Sequence, residues 1–233
     1  MIKIINLNKS FDLVVKLICI SQRYFRNKDP YSVSLRDIKR YCDLYKGFIK
    51  YFKLIENFEE NKSIYNEKAI LLSLYLNYII RIPIKMVKED YYKEIEKIIN
   101  KEELFKSKNI KKIIEEEINF ICEKMIIPKG IALTQALKEN LFSLFHCILS
   151  KIPIYIIGKP GCSKSLGMEI LYDSLKGELS NNDLFKKLPS LFYIYFQGSL
   201  NTTSKELVNA FKKARNLNDN LNNEKKINSG FVF

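Results

Sequence analysis

The chain is poor in the residues that metal and disulfide chemistry use. Its one histidine, His146, and its five cysteines, Cys19, Cys42, Cys122, Cys147 and Cys162, contain no C-x-x-C pair. That spacing suggests neither a zinc site nor a disulfide framework, and scattered thiols of this kind read as reduced core fillers. No secretory leader is expected either, because Met1 to Asn8 alternates Ile with Lys and Asn and has no small-residue cleavage site. The longest apolar stretch, Ala69 to Ile80, holds Asn77 and stops at Arg81 and Pro83, short of the roughly 20 residues a membrane span needs. A soluble, cytoplasmic chain without a membrane span is expected. Also lacking is a compact Arg/Lys block with interleaved aromatics. The formal charge is +13, yet the lysines interleave with glutamates through Lys85–Glu117. Solvated helix faces and a composition rich in Lys, Ile and Asn account for that charge, so nucleic acid is not an expected partner.

What is present suffices for one large or two small domains, since 47% of the 233 residues are hydrophobic. The first half reads as helices. Ser10 can cap one that runs to about Arg26. Ser34 and Asp37 have the S-x-x-D spacing of a capping box, followed by an apolar stripe of Leu35, Ile38, Tyr41, Cys42, Tyr45, Phe48, Ile49 and Phe52. Asn66 to Ile80 is apolar almost all round, the pattern of a buried helix. Lys88–Phe105 and Lys111–Met125 read as charged amphipathic helices. The run Glu115-Glu116-Glu117 is expected on a solvated face, because consecutive residues fan around a helix. His146, on a helix starting near Thr134, reads as structural, since no carboxylate partner is suggested beside it.

The second half is organised around Ile152 to Leu175 (IPIYIIGKPGCSKSLGMEILYDSL), in which an apolar run of strand character enters a glycine-containing turn and leaves as an amphipathic helix. Strand, small-residue loop and helix N-terminus in that order make a phosphate-binding loop, because backbone N–H groups and the helix dipole converge on an anion. In this reading Gly158, Lys159, Pro160, Gly161, Cys162, Ser163, Lys164, Ser165 and Leu166 surround a nucleotide. Lys164 reaches the β/γ-phosphates of ATP, and the Ser165 hydroxyl is the ligand for Mg²⁺. The general Walker A pattern G-x-x-x-x-G-K-[ST] has glycine where Ser163 stands, and a Cβ there narrows the backbone's options. A strand at Leu191–Gln197, a helix at Ser204–Ala214, a flexible Asn216–Asn228 and a third strand from Gly230 follow, the alternation of a parallel sheet. The fold class is therefore α/β, with a helical N-terminal half and an incomplete P-loop NTPase core. The acidic strand end that holds Mg²⁺ and positions water in such enzymes is absent. A chain ending in mid-strand exposes an unpaired edge, so a fragment is expected, with apolar residues and then Asp-Glu beyond Phe233.

These residues resemble the mysterin-type giant AAA+ ATPases and E3 ubiquitin ligases. The resemblance is carried by Leu137-Lys138-Glu139-Asn140, Lys151-Ile152-Pro153, the loop Gly158–Leu166 with its serine before the lysine, and Tyr195-Phe196-Gln197-Gly198-Ser199 followed by Thr203-Ser204. Val33-Ser34-Leu35-Arg36-Asp37-Ile38-Lys39-Arg40 is similar to the lid helix of a preceding AAA+ module, which makes Arg36 a possible lid arginine. The resemblance implies residues 1–56 as that lid, 57–128 as a helical linker and 129–233 as the front of the next module. It also implies ATP hydrolysis in the complete protein, with adjacent AAA+ modules of the same polypeptide and ubiquitin machinery as partners. No catalytic residue of hydrolysis or ligation is carried over. Two other classes stay open. Gly158-x-Pro160-Gly161 also resembles nucleoside-monophosphate kinase loops, and a non-catalytic scaffold ordered by nucleotide fits the same residues.

Overall fold

The computed structural model describes residues 11–55, 57–100, 109–159, 161, 163–223 and 230–232. The chain divides into two compact units, Met1–Asn119 and Phe120–Phe233. The expected cap Ser10 lies outside the described residues, as do Pro160 and Cys162 of the loop.

The first unit is built from helices α1 (Phe11–Arg26), α2 (Leu35–Phe52), α3 (Lys62–Asn77) and α4 (Lys85–Ile99), with most of α5 (Ile110–Glu123). Helix α4 ends at Ile99 with Asn100 as its C-cap, short of the expected Phe105, and residues 101–108 lie outside those described. Helix α2 starts where the capping box places it. The Ser34 hydroxyl accepts from Arg36 N–H at 3.2 Å, and Asp37 Oδ2 accepts from Ser34 N–H at 2.7 Å, so two otherwise orphaned donors are satisfied. Leu35 departs from the expected stripe and is exposed, because it sits in the first turn of the helix ahead of the packed face. Helix α3 is buried on every side from Ala69 to Asn77. Each of its fully buried leucines contributes roughly 1.5–3 kcal/mol of transfer free energy. It lies against α2, whose Tyr41, Phe48, Tyr51 and Phe52 are also buried.

Polar groups inside this unit converge on Asp37, itself buried. Beyond its cap bond, its carboxylate accepts from Arg81 Nη1 at 3.0 Å, and its backbone carbonyl accepts from Asn77 Nδ2 at 2.9 Å. Arg81 Nη2 donates in turn to Ser32 O at 2.7 Å, and the guanidinium lies over the Phe25 ring. One aspartate thus ties the start of α2 to the end of α3 through its carbonyl, and to Arg81 just beyond through its carboxylate. The buried phenols act likewise: Tyr41 donates to Ile70 O and Tyr91 to Ser21 Oγ. Burial pushes the Tyr45 hydroxyl up to about 12, since a charged phenolate would lose its hydration there. The acidic run is a correction. Glu115 and Glu116 are exposed, but Glu117 is buried and its Oε2 accepts from Lys68 at 3.1 Å. It turns inward because it stands three and four residues from the buried Ile114, Ile113 and Ile121.

In the second unit the last residues of α5 are followed by α6 (Gln135–Leu149), α7 (Lys164–Ser174), α8 (Asp183–Lys186), β1 (Leu191–Tyr193), α9 (Ser204–Asn223) and β2 (Gly230–Val232). Leu137, Leu141, Phe142 and Phe145 of α6 form the core with Ile170 and Leu171 of α7 and with Phe185. The helices approach closely at Gly167, where a Cβ would come within 3.2 Å of Leu144 Cδ1. The expected parallel-sheet core is not formed among the described residues. The ladder found there is two-stranded and parallel, pairing Leu191 with Gly230, Phe192 with Phe231 and Tyr193 with Val232. The expected strand to Gln197 is cut to three residues because pairing ends with β2, and Tyr195 is exposed. Ile152–Ile157 takes no part in a ladder. Its burial still alternates as in a strand, with Ile152, Ile154 and Ile156 half-buried and Pro153, Tyr155 and Ile157 exposed. Helix α9 runs beyond the expected Ala214 into the Asn-rich segment. Ala210, Ala214 and half-buried Leu217 continue one stripe at helical spacing, which overrides the weak propensity of asparagine.

His146 is buried in this core, with Phe142 and Phe145 meeting its ring edge-on. Burial lowers its pKa from 6.5 to about 3, since a charged imidazolium loses its hydration there.

Two outcomes are expected. Asp37→Ala should destabilise the first unit by about 2 kcal/mol, from a lost cap and a stranded guanidinium, measured by urea unfolding. The depressed pKa of His146 means its contribution is complete above pH 6.5 and is lost as pH falls from there toward 3. The slope approaches about 1.4 kcal/mol per pH unit. Unfolding midpoints of wild type and His146→Leu at pH 7 and pH 5 should diverge, with the variant losing less stability on acidification.

Candidate phosphate-binding loop

Helix α6 sets the direction of the loop. After Ser150 the chain takes a left-handed residue, Lys151, at φ 55°. Lys151 N–H then donates to Ile148 O at 3.0 Å and Ile152 N–H to Cys147 O at 2.8 Å. This is the paired 5→2 and 6→1 arrangement of a Schellman turn, which satisfies the last carbonyls of the helix and sends the chain off at a fixed angle. Ile152–Ile157 follows from that turn and delivers Gly158.

The loop closes on itself through Lys164. Its Nζ donates to Gly158 O at 2.8 Å and to Lys159 O at 2.7 Å, so the residue that opens α7 holds the two residues that begin the loop. Gly161 has φ 83°, and a Cβ there would meet nothing within 4 Å, so the backbone stands open to solvent at that point. Ser163 is the N-cap of α7 and is left-handed, at φ 55° and ψ 25°, with no cap bond from its side chain. Its carbonyl accepts the N–H of Gly167 at 3.1 Å. The far end of α7 is pinned by Ser174, whose buried Oγ donates to Ile170 O at 2.7 Å and accepts from Ile126 N–H at 2.9 Å. Leu191 N–H donates to Leu175 O at 2.8 Å and seats β1 beside the end of the same helix.

Of the loop residues singled out in the sequence, Gly158, Lys159, Gly161 and Ser165 are exposed, while Ser163, Lys164 and Leu166 are half-buried. Pro160 and Cys162 lie outside the described residues. Arg36 belongs to the other unit, where it is exposed in the first turn of α2. Among the described residues no group of three or more His, Cys, Asp or Glu could hold a metal ion. Sequence reasoning missed the Schellman turn, whose usual glycine is replaced by Lys151. It also missed the grip of Lys164 on the loop carbonyls, which the five- and six-residue spacing from Lys159 and Gly158 permits but does not demand.

The family model described as the RNF213 AAA domain matches residues 130–232. The chain is 29% identical over 208 residues to the E3 ubiquitin-protein ligase rnf213-beta of Danio rerio, covering 86% of this chain and 4% of that protein. It is 27% identical over 211 residues to the E3 ubiquitin-protein ligase RNF213 of Homo sapiens, with the same coverage. The RNF213 of Mus musculus is 34% identical over 109 residues, which cover 45% of this chain and 2% of that protein. The chain thus spans about 4% of the length of the first two relatives. No helix among the described residues is long and apolar enough to cross a membrane. The resemblance to the mysterin-type AAA+ proteins read from Gly158–Leu166 is thereby borne out, with residues 130–232 carrying the match to an RNF213-type AAA domain.

Proposed function

We propose that Gly158–Leu166 binds the phosphates of ATP, as the nucleotide loop of an AAA+ module within a longer polypeptide. The observation that carries this reading is the placement of the Lys164 ammonium. It has three N–H donors and spends two on Gly158 O and Lys159 O. Its charge and its third donor are thereby held against the residues that begin the loop, by the lysine that opens α7. A phosphate there meets a fixed cation and the positive end of a helix dipole. Ser165 is exposed one residue further on, and its hydroxyl would hold Mg²⁺ against the same phosphates. Bound magnesium would supply charge neutralisation between the phosphoryl oxygens.

The wider reading follows the relatives. Their printed names make them E3 ubiquitin-protein ligases. ATP hydrolysis, ubiquitin ligation, contact with ubiquitin machinery and a cytoplasmic setting are accordingly proposed for the complete protein. Residues 1–56 as a preceding module's lid, with Arg36 turned to nucleotide, and 57–128 as a linker belong to the same proposal. The lysine's charge makes the nucleotide reading testable. Lys164→Ala should weaken ATP binding about tenfold or more, by loss of a charge-assisted contact, in a calorimetric titration. Equal affinities would make the loop a structural turn.

The departure from the general loop pattern has a measurable consequence as well. Ser163 adopts the left-handed conformation that costs a residue with a Cβ about 1 kcal/mol and glycine almost nothing. Ser163→Gly is expected to raise stability by about 0.5–1 kcal/mol while ATP still binds, read from thermal melts with and without nucleotide.

A further inference from the structure

The loop carries a second ammonium that the general pattern does not use. Lys159 is exposed, and no ion pair among the described residues involves it. Its backbone carbonyl lies 2.7 Å from Lys164 Nζ. A residue's Cα is roughly 2.4 Å from its own carbonyl oxygen, so the Cα of Lys159 lies within roughly 5 Å of that ammonium. A lysine stem extends further than this. Whatever anion Lys164 touches is therefore within reach of Lys159, and a second positive charge on the same anion adds to its attraction. The neighbouring Pro160 sharpens the need, because proline has no N–H and the loop has one backbone donor fewer to offer a phosphate chain.

We infer that Lys159 is a second phosphate-contacting cation, that its partner is the terminal phosphate of a nucleoside triphosphate, and that it makes this loop prefer triphosphate to diphosphate. The inference rests on the nucleotide reading of the loop and names the part of the ligand that sets selectivity. A strongly hydrated point charge on a flexible stem suits a phosphate, which any of three oxygens can present. The exposure of Lys159 means its replacement removes charge without opening a cavity.

The test uses the 233-residue chain in Mg²⁺ buffer, titrated with ATP and with ADP, for wild type, Lys159→Ala, Lys159→Arg, Lys164→Ala and Lys205→Ala as a charge control on α9. Lys159→Ala should weaken ATP about tenfold and ADP less than about threefold, while Lys159→Arg keeps most of the preference. Far-UV circular dichroism should not change. Three results would overturn the inference: equal losses for ATP and ADP, no loss while Lys164→Ala loses affinity, or an equal effect of Lys205→Ala. A wild-type chain that binds neither nucleotide overturns the loop reading and this inference with it.

Discussion

Between Gly158 and Lys164 the chain must turn from a strand-like segment into a helix without the support of a regular ladder. The two hydrogen bonds from Lys164 Nζ to Gly158 O and Lys159 O perform that closure. Neutral backbone bonds across a turn each contribute about 1 kcal/mol, while bonds from an ammonium are roughly twice as strong. The charge that shapes the loop is also the charge a phosphate would meet. On the nucleotide reading, shape and affinity would depend on one side chain.

The loop is set by fixed contacts on both sides. Upstream, the Schellman turn at Lys151 sets where Ile152 leaves α6. Downstream, Ser174 holds the end of α7 to the backbone at Ile126, and Gly167 lets α7 lie against Leu144. The apolar core of α6 and α7 thus acts on the loop through three short polar or close-packed contacts. A further left-handed position, Gly177 at φ 60°, closes the connection behind α7, where a Cβ would fall 2.5 Å from Ser190 Oγ. Here the positive φ is what favours glycine, since the Ser190 hydroxyl can rotate away from a Cβ.

Legibility in the sequence followed the range of the interactions. The capping box of Ser34 and Asp37 was readable because its bonds span only two and three residues, and the all-round burial of α3 because its pattern is local. Glu117 shares the apolar face of its helix, but the Lys68 that neutralises it there stands 49 residues away, out of reach of a local pattern. The helical course through Asn223 was hidden by asparagine's propensity, which the Ala210, Ala214 and Leu217 stripe overrides. For Ile152–Ile157 the apolar run of strand character was matched by alternating burial but not by a ladder. Alternation specifies a face, whereas strand hydrogen bonds need a neighbour that a single segment cannot encode. The loop itself was legible in composition and order, but the direction of Lys164 was not.

Two of the non-glycine residues with positive φ, Lys151 and Ser163, bracket the segment that carries the loop. Each holds a conformation disfavoured by roughly 1 kcal/mol, so the surroundings must over-determine it. At Lys151 the compensation is visible in the two bonds that finish α6. At Ser163 no side-chain cap offsets the strain, and what keeps the residue left-handed is the combined demand of α7 starting at Lys164 and Lys164 reaching back to Gly158. The serine that departs from the general pattern is therefore held in the conformation a glycine would take without cost. Its strain marks the junction where the helix N-terminus and the lysine ammonium are brought to one place.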